Sequence, residues 1–289
     1  MADEVFSAAR LRGYRVLEDA GLGEAVELQI IDRVIAGRLW LPFSLVELAF
    51  RNAVDRAVTA AHELGSDWLI AAGRDGASLI AAAVKGPTTL WGPRDDGTDH
   101  DPIADAARMA ADQLDRERIS RDDLVAHLMF GFWVHRCGPG LAAQEPALAV
   151  WELTAAEFEA PLDDSEHLRR VMGQLLRTRN RVAHHEPIVF RAKHLFRRDG
   201  SPKNAAELVM SLEGAIPAFL AEVDLAVRTA VAMAPMAARF LEAVPDQIRA
   251  DVGQLQAAVA AERRRLREAR DARLAAREAQ RDRKLRGDS

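Results

Sequence analysis

Helical periodicity is the feature that most restricts the fold of this chain. Alanine, leucine and arginine dominate it, and residues of high strand propensity seldom cluster. Apolar residues recur with the helical period in stretches near 26–35, 43–64, 122–136, 163–185 and 204–233. Between residues 252 and 285 almost nothing favours a turn. The pattern therefore predicts an all-α protein with a long charged C-terminal helix.

Glycine and proline indicate where these helices begin and end. We expect one helix to end near Gly37 and the next to begin at Pro42, because proline suits the first helical turn. In that second helix Glu47 and Arg51 are four residues apart and are expected to pair. Pro217 predicts a kink or a break in the helix that follows Asn204.

Composition argues against several classes of protein. The 289 residues include a single cysteine, Cys137, so no disulfide can form within the chain, as is usual in a reducing cytosol. No run of 18 uncharged apolar residues is present, and the acidic stretch Met1–Glu4 is not followed by an apolar segment. We therefore expect a cytoplasmic protein without a signal peptide or a membrane span.

Charge is distributed unevenly along the chain. The formal net charge is −5, but residues 261–289 contain eleven lysines or arginines and six acidic residues, a net of +5. The rest of the chain therefore carries −10. A tail of this kind is typical of a solvated charged helix, and it also suits the electrostatic steering of RNA.

The segment from Arg177 to Pro187 carries more polar chemistry than a packed helix end requires. Three arginines, one asparagine and two histidines lie within nine residues, directly after an apolar helical run. The arginine guanidinium fits phosphate oxygens, and histidine exchanges a proton near neutral pH. Together these groups suffice to cut RNA without a metal. Cations also complement the dipole at a helix C-terminus, which is the structural alternative.

Spacing within this segment favours a shared site. Asn180 and His184 are four residues apart and share a helix face, whereas the directions of Arg179 and His184 differ by roughly 140°. A long arginine can bend round that gap, or a second copy of the site in a dimer can close it. Pro187 is expected to stop the helix, with both histidines in its last turn.

Three motifs occur in an order that a known family shares. Arg179–Asn180 followed by Ala183–His185 reads RNxxAHH. Upstream, Glu47–Ala53 forms a Glu…Leu-Arg-Asn-like helix, and Trp68–Leu69 follows at a similar distance. Phe130–Val134 supplies a central FGFW segment. In this order the motifs resemble those of bacterial abortive-infection (Abi-like) proteins of the HEPN superfamily.

The resemblance covers roughly residues 30–235 and implies both a fold and an activity. The implied fold is an HEPN-type helical bundle over residues 1–240, followed by a charged C-terminal helix or tail over residues 241–289. The implied activity is that of a metal-independent endoribonuclease without a cofactor, acting as a toxin in phage defence. The implied partners are RNA such as tRNA, a second copy in a homodimer, and an antitoxin or regulatory protein.

The resemblance also assigns roles to residues. Arg179 and His184 carry over as the catalytic pair, with Asn180 beside the arginine and His185 as the second histidine. His184 is expected to transfer a proton at the 2′-hydroxyl or the 5′ oxygen, while Arg179 stabilises the charge of the transition state. After the histidines the chain departs from the family, because Glu186–Arg191 replaces an Arg-Leu-Trp-Asn-like stretch.

The upstream helix is expected to support this site or to bind RNA. The residues concerned are Glu47, Arg51 and Asn52. An asparagine inside a helix is mildly unfavourable, which indicates a polar partner. Our hypothesis is that Arg51 and Asn52 pack beside the catalytic pair and orient it.

The alternative function is a non-catalytic HEPN dimer that binds a protein or RNA as a regulatory module.

Other candidate sites are weaker. The acidic loop 94–101 lacks the spacing of a calcium loop and is interpreted as a surface loop. His184–Glu186 does not match a zinc pattern, and Phe132 and Trp133 are interpreted as core residues.

Overall fold

The computed structural model describes residues 7–61, 106, 109–110, 112–113, 121–136 and 145–286. Within these ranges the regular elements are helices, and Phe196 and Pro202 form an isolated antiparallel bridge. The prediction of an all-α protein is thereby confirmed. Trp68–Leu69, the loop 94–101 and Cys137 lie outside the described residues.

The helices of the described ranges are numbered here in chain order. They are α1 (Ala8–Asp19), α2 (Ala25–Ala61), α3 (Arg121–His127), α4 (Phe130–Arg136), α5 (Glu145–Ala155), α6 (Ser165–Ala183), α7 (Ala192–Leu195), α8 (Ala205–Met233), α9 (Ala238–Leu241) and α10 (Val244–Arg286). A short 3-10 turn, Pro235–Ala237, precedes α9.

The chain divides into two compact units. Unit 1 contains residues 1–41, 181–227 and 240–289, and unit 2 contains residues 42–180 and 228–239. Helices α2, α6 and α8 each contribute residues to both units. The predicted division of the chain between residues 240 and 241 stays a prediction.

Unit 1 has its own apolar core. Helices α1, α8 and α10 supply buried side chains at helical spacing: Leu11, Tyr14 and Leu17; Leu208, Leu212, Ile216, Phe219 and Val223; Ile248, Val252, Leu255 and Val259. The rings of Tyr14 and Phe190 meet edge to face with their centroids 5.6 Å apart. The chain that follows α6 is therefore built into this core.

Aromatic side chains form part of the core of unit 2. The ring of Phe50 lies 6.2 Å from that of Phe130 and 5.7 Å from that of Trp151. Phe132 and Trp133 are buried, so their interpretation as core residues is confirmed. These contacts join α2, α4 and α5 beside the part of α2 that carries Glu47.

The expectation of two helices separated by Gly37 and Pro42 is wrong. Helix α2 runs from Ala25 to Ala61 with Pro42 inside it. Its buried positions continue at helical spacing across this stretch: Ile35, Leu39, Phe43, Val46 and Phe50. A proline inside a helix costs about 3 kcal/mol, and the burial of these large side chains outweighs that cost.

Other helix ends follow local chemistry. The Asp164 carboxylate accepts a hydrogen bond from the His167 amide at 2.5 Å and so caps the start of α6. Asn204 and Glu207 form a reciprocal capping box at the start of α8, with distances of 3.0 and 2.9 Å. Pro217 does not divide α8, whereas the helix expected over 122–136 is split into α3 and α4.

Helix α10 changes character along its length. Its first part buries an apolar stripe that ends at Val259, whereas the side chains from Arg267 to Arg281 are all exposed. The expected long charged helix is confirmed. No helix among the described residues has an apolar stretch long enough to cross a membrane.

Candidate functional site

Helix α6 ends in a Schellman motif built on the two histidines. The Glu186 amide donates to the Arg181 carbonyl at 2.9 Å, and the His185 amide donates to the Val182 carbonyl at 3.2 Å. His184 is therefore the C-cap residue, and His185 is the first residue beyond it. The expectation that both histidines lie in the last helical turn is wrong, because this motif ends the helix before Pro187 takes effect.

His185 has a left-handed backbone conformation. Its φ is 55°, in the region where a side chain is normally disfavoured and glycine is preferred. Holding a non-glycine residue there costs roughly 1–2 kcal/mol. Both histidine side chains are exposed. The strained residue therefore lies directly beside the predicted proton-transfer residue.

Buried Asp32 holds the backbone that follows the histidines. Its carboxylate accepts hydrogen bonds from the Ile188 amide at 3.1 Å and from the Val189 amide at 3.0 Å. The Tyr14 hydroxyl donates to the same carboxylate at 3.1 Å. Burial and the charge of Asp32 raise the pKa of Tyr14 well above its ordinary value, so the hydroxyl stays a donor. A buried carboxylate requires such donors.

Arg33 completes this clamp on the chain. One of its Nη atoms lies 2.6 Å from Asp32 and donates to the Glu186 carbonyl at 2.8 Å. Asp32 and Arg33 therefore hold residues 186–189 through backbone groups, whatever side chains that segment carries. The sequence signal that marks this pair is an acid beside an arginine on the apolar face of an otherwise regular helix.

A cavity of about 410 Å³ in unit 1 has both histidines in its wall. The charged residues of the wall are Arg10, Arg12, Arg181, Arg191, His184, His185 and Glu186. The Arg12 guanidinium lies over the ring of Phe196, 5.1 Å from its centroid. The wall contains four arginines and one acidic residue, Glu186. The cavity therefore has a positive potential, which favours an anionic ligand.

In unit 2, Glu47 holds the guanidinium of Arg179. The arginine Nε and Nη2 lie 3.1 and 2.9 Å from one carboxylate oxygen, and Nη1 donates to the Asn180 side-chain oxygen at 3.4 Å. The Arg179 and Glu47 side chains are 21% and 18% exposed. A half-buried pair of this kind fixes the plane of the guanidinium while leaving part of it open to a ligand.

Arg51 and Asn52 are placed differently from Glu47. The expected pairing of Glu47 with Arg51 is wrong, because the carboxylate bonds Arg179, while Arg51 donates to the Ala126 carbonyl at 3.3 Å. Asn52 is half-buried on α2. Their proposed role in orienting the catalytic pair stays a prediction.

The predicted site residues thus fall into two groups. Glu47, Arg179 and Asn180 lie together in unit 2, whereas His184 and His185 belong to unit 1. Sequence reasoning missed the cavity arginines of α1, Arg10 and Arg12. They are far from the motif in sequence, and an exposed arginine on an amphipathic helix carries no distinguishing signal.

A second cavity of unit 1, of about 220 Å³, contains His194. Burial lowers the pKa of His194 to about 4, and the positive charges of Lys193, Arg191, Lys203 and Arg181 act in the same direction. This histidine is neutral near pH 7. It is a partly buried structural group, in contrast to the exposed histidines that end α6.

No group of three or more histidine, cysteine or acidic side chains in the described part of the chain is arranged to hold a metal ion. Comparisons of the chain with protein-family models, with curated proteins and with solved structures found no match. The motifs and the geometry of the site are therefore the basis on which a function can be argued.

Proposed function

We propose that the protein is a metal-independent endoribonuclease with an HEPN-type helical bundle, acting as a toxin in phage defence. The observation that carries the proposal is the exposed pair of histidines in the wall of an arginine-rich cavity. Arginine binds the phosphates of RNA, and exposed histidine exchanges protons at neutral pH. The RNxxAHH motif adds Arg179 and Asn180 to this set.

RNA supplies its own nucleophile for this reaction. A base removes the proton of a 2′-hydroxyl, the 2′ oxygen attacks the adjacent phosphorus, and the bond to the 5′ oxygen breaks. An acid then protonates that oxygen, which leaves a 2′,3′-cyclic phosphate and a 5′-hydroxyl. His184 transfers one of these protons, and His184 of a second copy in a dimer supplies the other.

Arg179 stabilises the charge that develops on the phosphorane-like transition state. The pair with Glu47 supports this role, because it fixes the guanidinium before the substrate arrives. Asn180 accepts a hydrogen bond from the same guanidinium and adds to its orientation. In this proposal Glu47 and Asn180 are positioning residues.

The decisive experiment incubates the purified protein with total RNA and tRNA in EDTA. We expect cleavage with cyclic-phosphate ends, and a loss of at least about 100-fold in His184→Ala, because a proton-transfer residue contributes roughly that much. His167→Ala is the matched control, since His167 lies in the first turn of the same helix. It should cleave normally, and circular dichroism should show that both variants are folded.

Cleavage that persists in His184→Ala, or that EDTA abolishes, would contradict the proposal.

An Arg179→Ala variant should cleave RNA about 100- to 1000-fold more slowly for a different reason, the loss of charge stabilisation.

A regulatory module that binds RNA or a protein without cleaving it is the second candidate. The Glu47–Arg179 pair favours it, since the carboxylate already neutralises part of the guanidinium charge that a cleavage transition state would require. RNA binding without cleavage by the wild type, at several salt concentrations and at protein concentrations that allow a dimer to form, would support this candidate.

A further inference from the structure

The wall of the cavity in unit 1 contains both apolar and cationic residues. Phe190, Leu195 and Phe196 contribute apolar surface, while Arg10 and Arg181 contribute positive charge. Its volume of about 410 Å³ lies within the range of small-molecule sites. A ligand that fills it therefore needs both a flat apolar part and an anionic part.

The cavity arginines differ in their acidic partners. Arg191 pairs with Glu222, and Arg181 lies 3.5 Å from Glu186. Among the described residues, no acidic side chain forms an ion pair with Arg10 or Arg12. These two are consequently available to an anion, and the stacking of Arg12 on Phe196 shows that this wall accepts planar groups.

Gln29 places in the cavity wall a buried polar atom that has no hydrogen-bond partner in the described part of the chain. It lies in the wall of the same cavity and is only 4% exposed. Its Oε1 atom is buried and has no hydrogen-bond partner among the described residues. A buried polar atom without a partner destabilises a fold, so its retention calls for a compensating role. The terminal torsion of glutamine is soft, so the amide can turn to meet a ligand.

A primary amide offers a donor and an acceptor side by side. That pattern matches the hydrogen-bonding edge of a nucleobase, which proteins read with amide side chains. The base face would stack on the apolar and guanidinium surfaces, and the phosphate would contact the arginines.

We propose that this cavity binds one nucleoside monophosphate unit, with Gln29 recognising the edge of its base. The inference rests on the proposed function and deepens it by placing a nucleotide of the RNA substrate beside His184 and His185. The same chemistry is found in a free mononucleotide, so the test has to separate the two sources.

The test measures binding by calorimetry, without any cleavage. The four 3′-mononucleotides, their nucleosides and inorganic phosphate are titrated into the wild type, Gln29→Leu and Gln256→Leu. Gln256 is an exposed residue of α10 and provides the same substitution away from the cavity. We expect one mononucleotide to bind at least tenfold more tightly than phosphate or its nucleoside. Gln29→Leu should lose at least tenfold in that affinity while its thermal stability stays equal or rises.

Higher stability together with weaker binding is the signature of a recognition residue, since a packing role would lower both. Binding no tighter than that of phosphate, or equal binding by Gln29→Leu and the wild type, would overturn the proposal.

Competition by a 2′-O-methyl RNA, which has no nucleophile, would identify RNA as the source of the nucleotide. Binding without such competition would keep the site and assign it to a free nucleotide. The His184→Ala variant should lose cleavage but keep its affinity for the mononucleotide. The binding proposal and the cleavage proposal can therefore fail independently of each other.

Discussion

At the scale of single residues, His185 has a backbone conformation that destabilises the folded protein. A left-handed φ of 55° at a helix C-terminus is normally occupied by glycine, yet a histidine is present. The Schellman hydrogen bonds of Glu186 and His185 hold this conformation in place. Strained backbone conformations cluster at active sites and ligand sites, and His185 lies in the wall of the cavity.

We predict that His185→Gly stabilises the protein by about 1 kcal/mol, because glycine adopts this conformation without a steric penalty. Urea unfolding measures the change. His185→Val is the opposite test and should be destabilising by a similar amount, since a β-branched residue is a poor occupant of this region. If RNA cleavage falls in His185→Gly despite the higher stability, the imidazole has a functional role. Unchanged stability in both variants would show that the strain is absent.

Residue types in the motif could be read directly from the chain, but their partners could not. The arginines and histidines of 177–185 are adjacent in sequence, so their chemistry is visible there. The carboxylate that holds Arg179 lies 132 positions away, and the one that holds the Ile188 amide lies 156 positions away. Such pairings arise from packing, which no local pattern encodes.

At the scale of elements, α10 carries charge on separate faces. Arg267, Arg270, Arg273, Arg277 and Arg281 lie within an arc of about 120°, whereas Glu268, Asp271 and Glu278 occupy a neighbouring arc of about 80°. The described side chains of both faces are exposed. The basic face extends for about 21 Å along the helix, long enough to follow several phosphates.

We predict that Arg267→Gln, Arg270→Gln and Arg277→Gln combined weaken RNA binding and flatten its salt dependence. The slope of log affinity against log salt should fall by about 0.7 for each phosphate of a single strand that the variant no longer neutralises. Filter binding at several salt concentrations measures both quantities. The matched variant combines Glu268→Gln, Asp271→Asn and Glu278→Gln, and its salt slope should equal that of the wild type. Equal slopes for the two triple variants would rule out a role for the basic face.

Helix positions were more predictable than helix ends. The C-terminal helix follows from local propensity and is present. Gly37 and Pro42 indicated a break that α2 does not have, because burial along one face overrides local preference. Residues 122–136 were expected to form one helix, but Leu128 and Met129 are not helical and separate α3 from α4.

At the scale of the whole molecule, His194 links folding stability to pH. Its pKa is about 4 in the folded protein and close to 6.5 when unfolded. Between these values the unfolded chain binds a proton that the folded protein does not. The free energy of unfolding therefore falls as the pH is lowered from about 6.5 towards 4.

We predict that this one group accounts for about 1 kcal/mol of that loss, because solvent screens a side chain that is only partly buried. Urea unfolding at pH 7 and pH 5 should show a smaller loss in His194→Gln than in the wild type. His167→Gln, in the first turn of α6, should behave as the wild type does. An identical pH dependence in all three proteins would contradict the assignment.

The sequence by itself determined the all-α class, the long charged helix and the polar segment that ends α6. These follow from periodicity and residue type, which are local properties of a chain. Only the tertiary structure decided that Asp32 and Arg33 clamp residues 186–189, that Glu47 holds Arg179, and that Gln29 buries a polar atom in the cavity wall. Each of these depends on burial and on contacts between distant positions, where the cost of an unsatisfied polar group decides which partners meet.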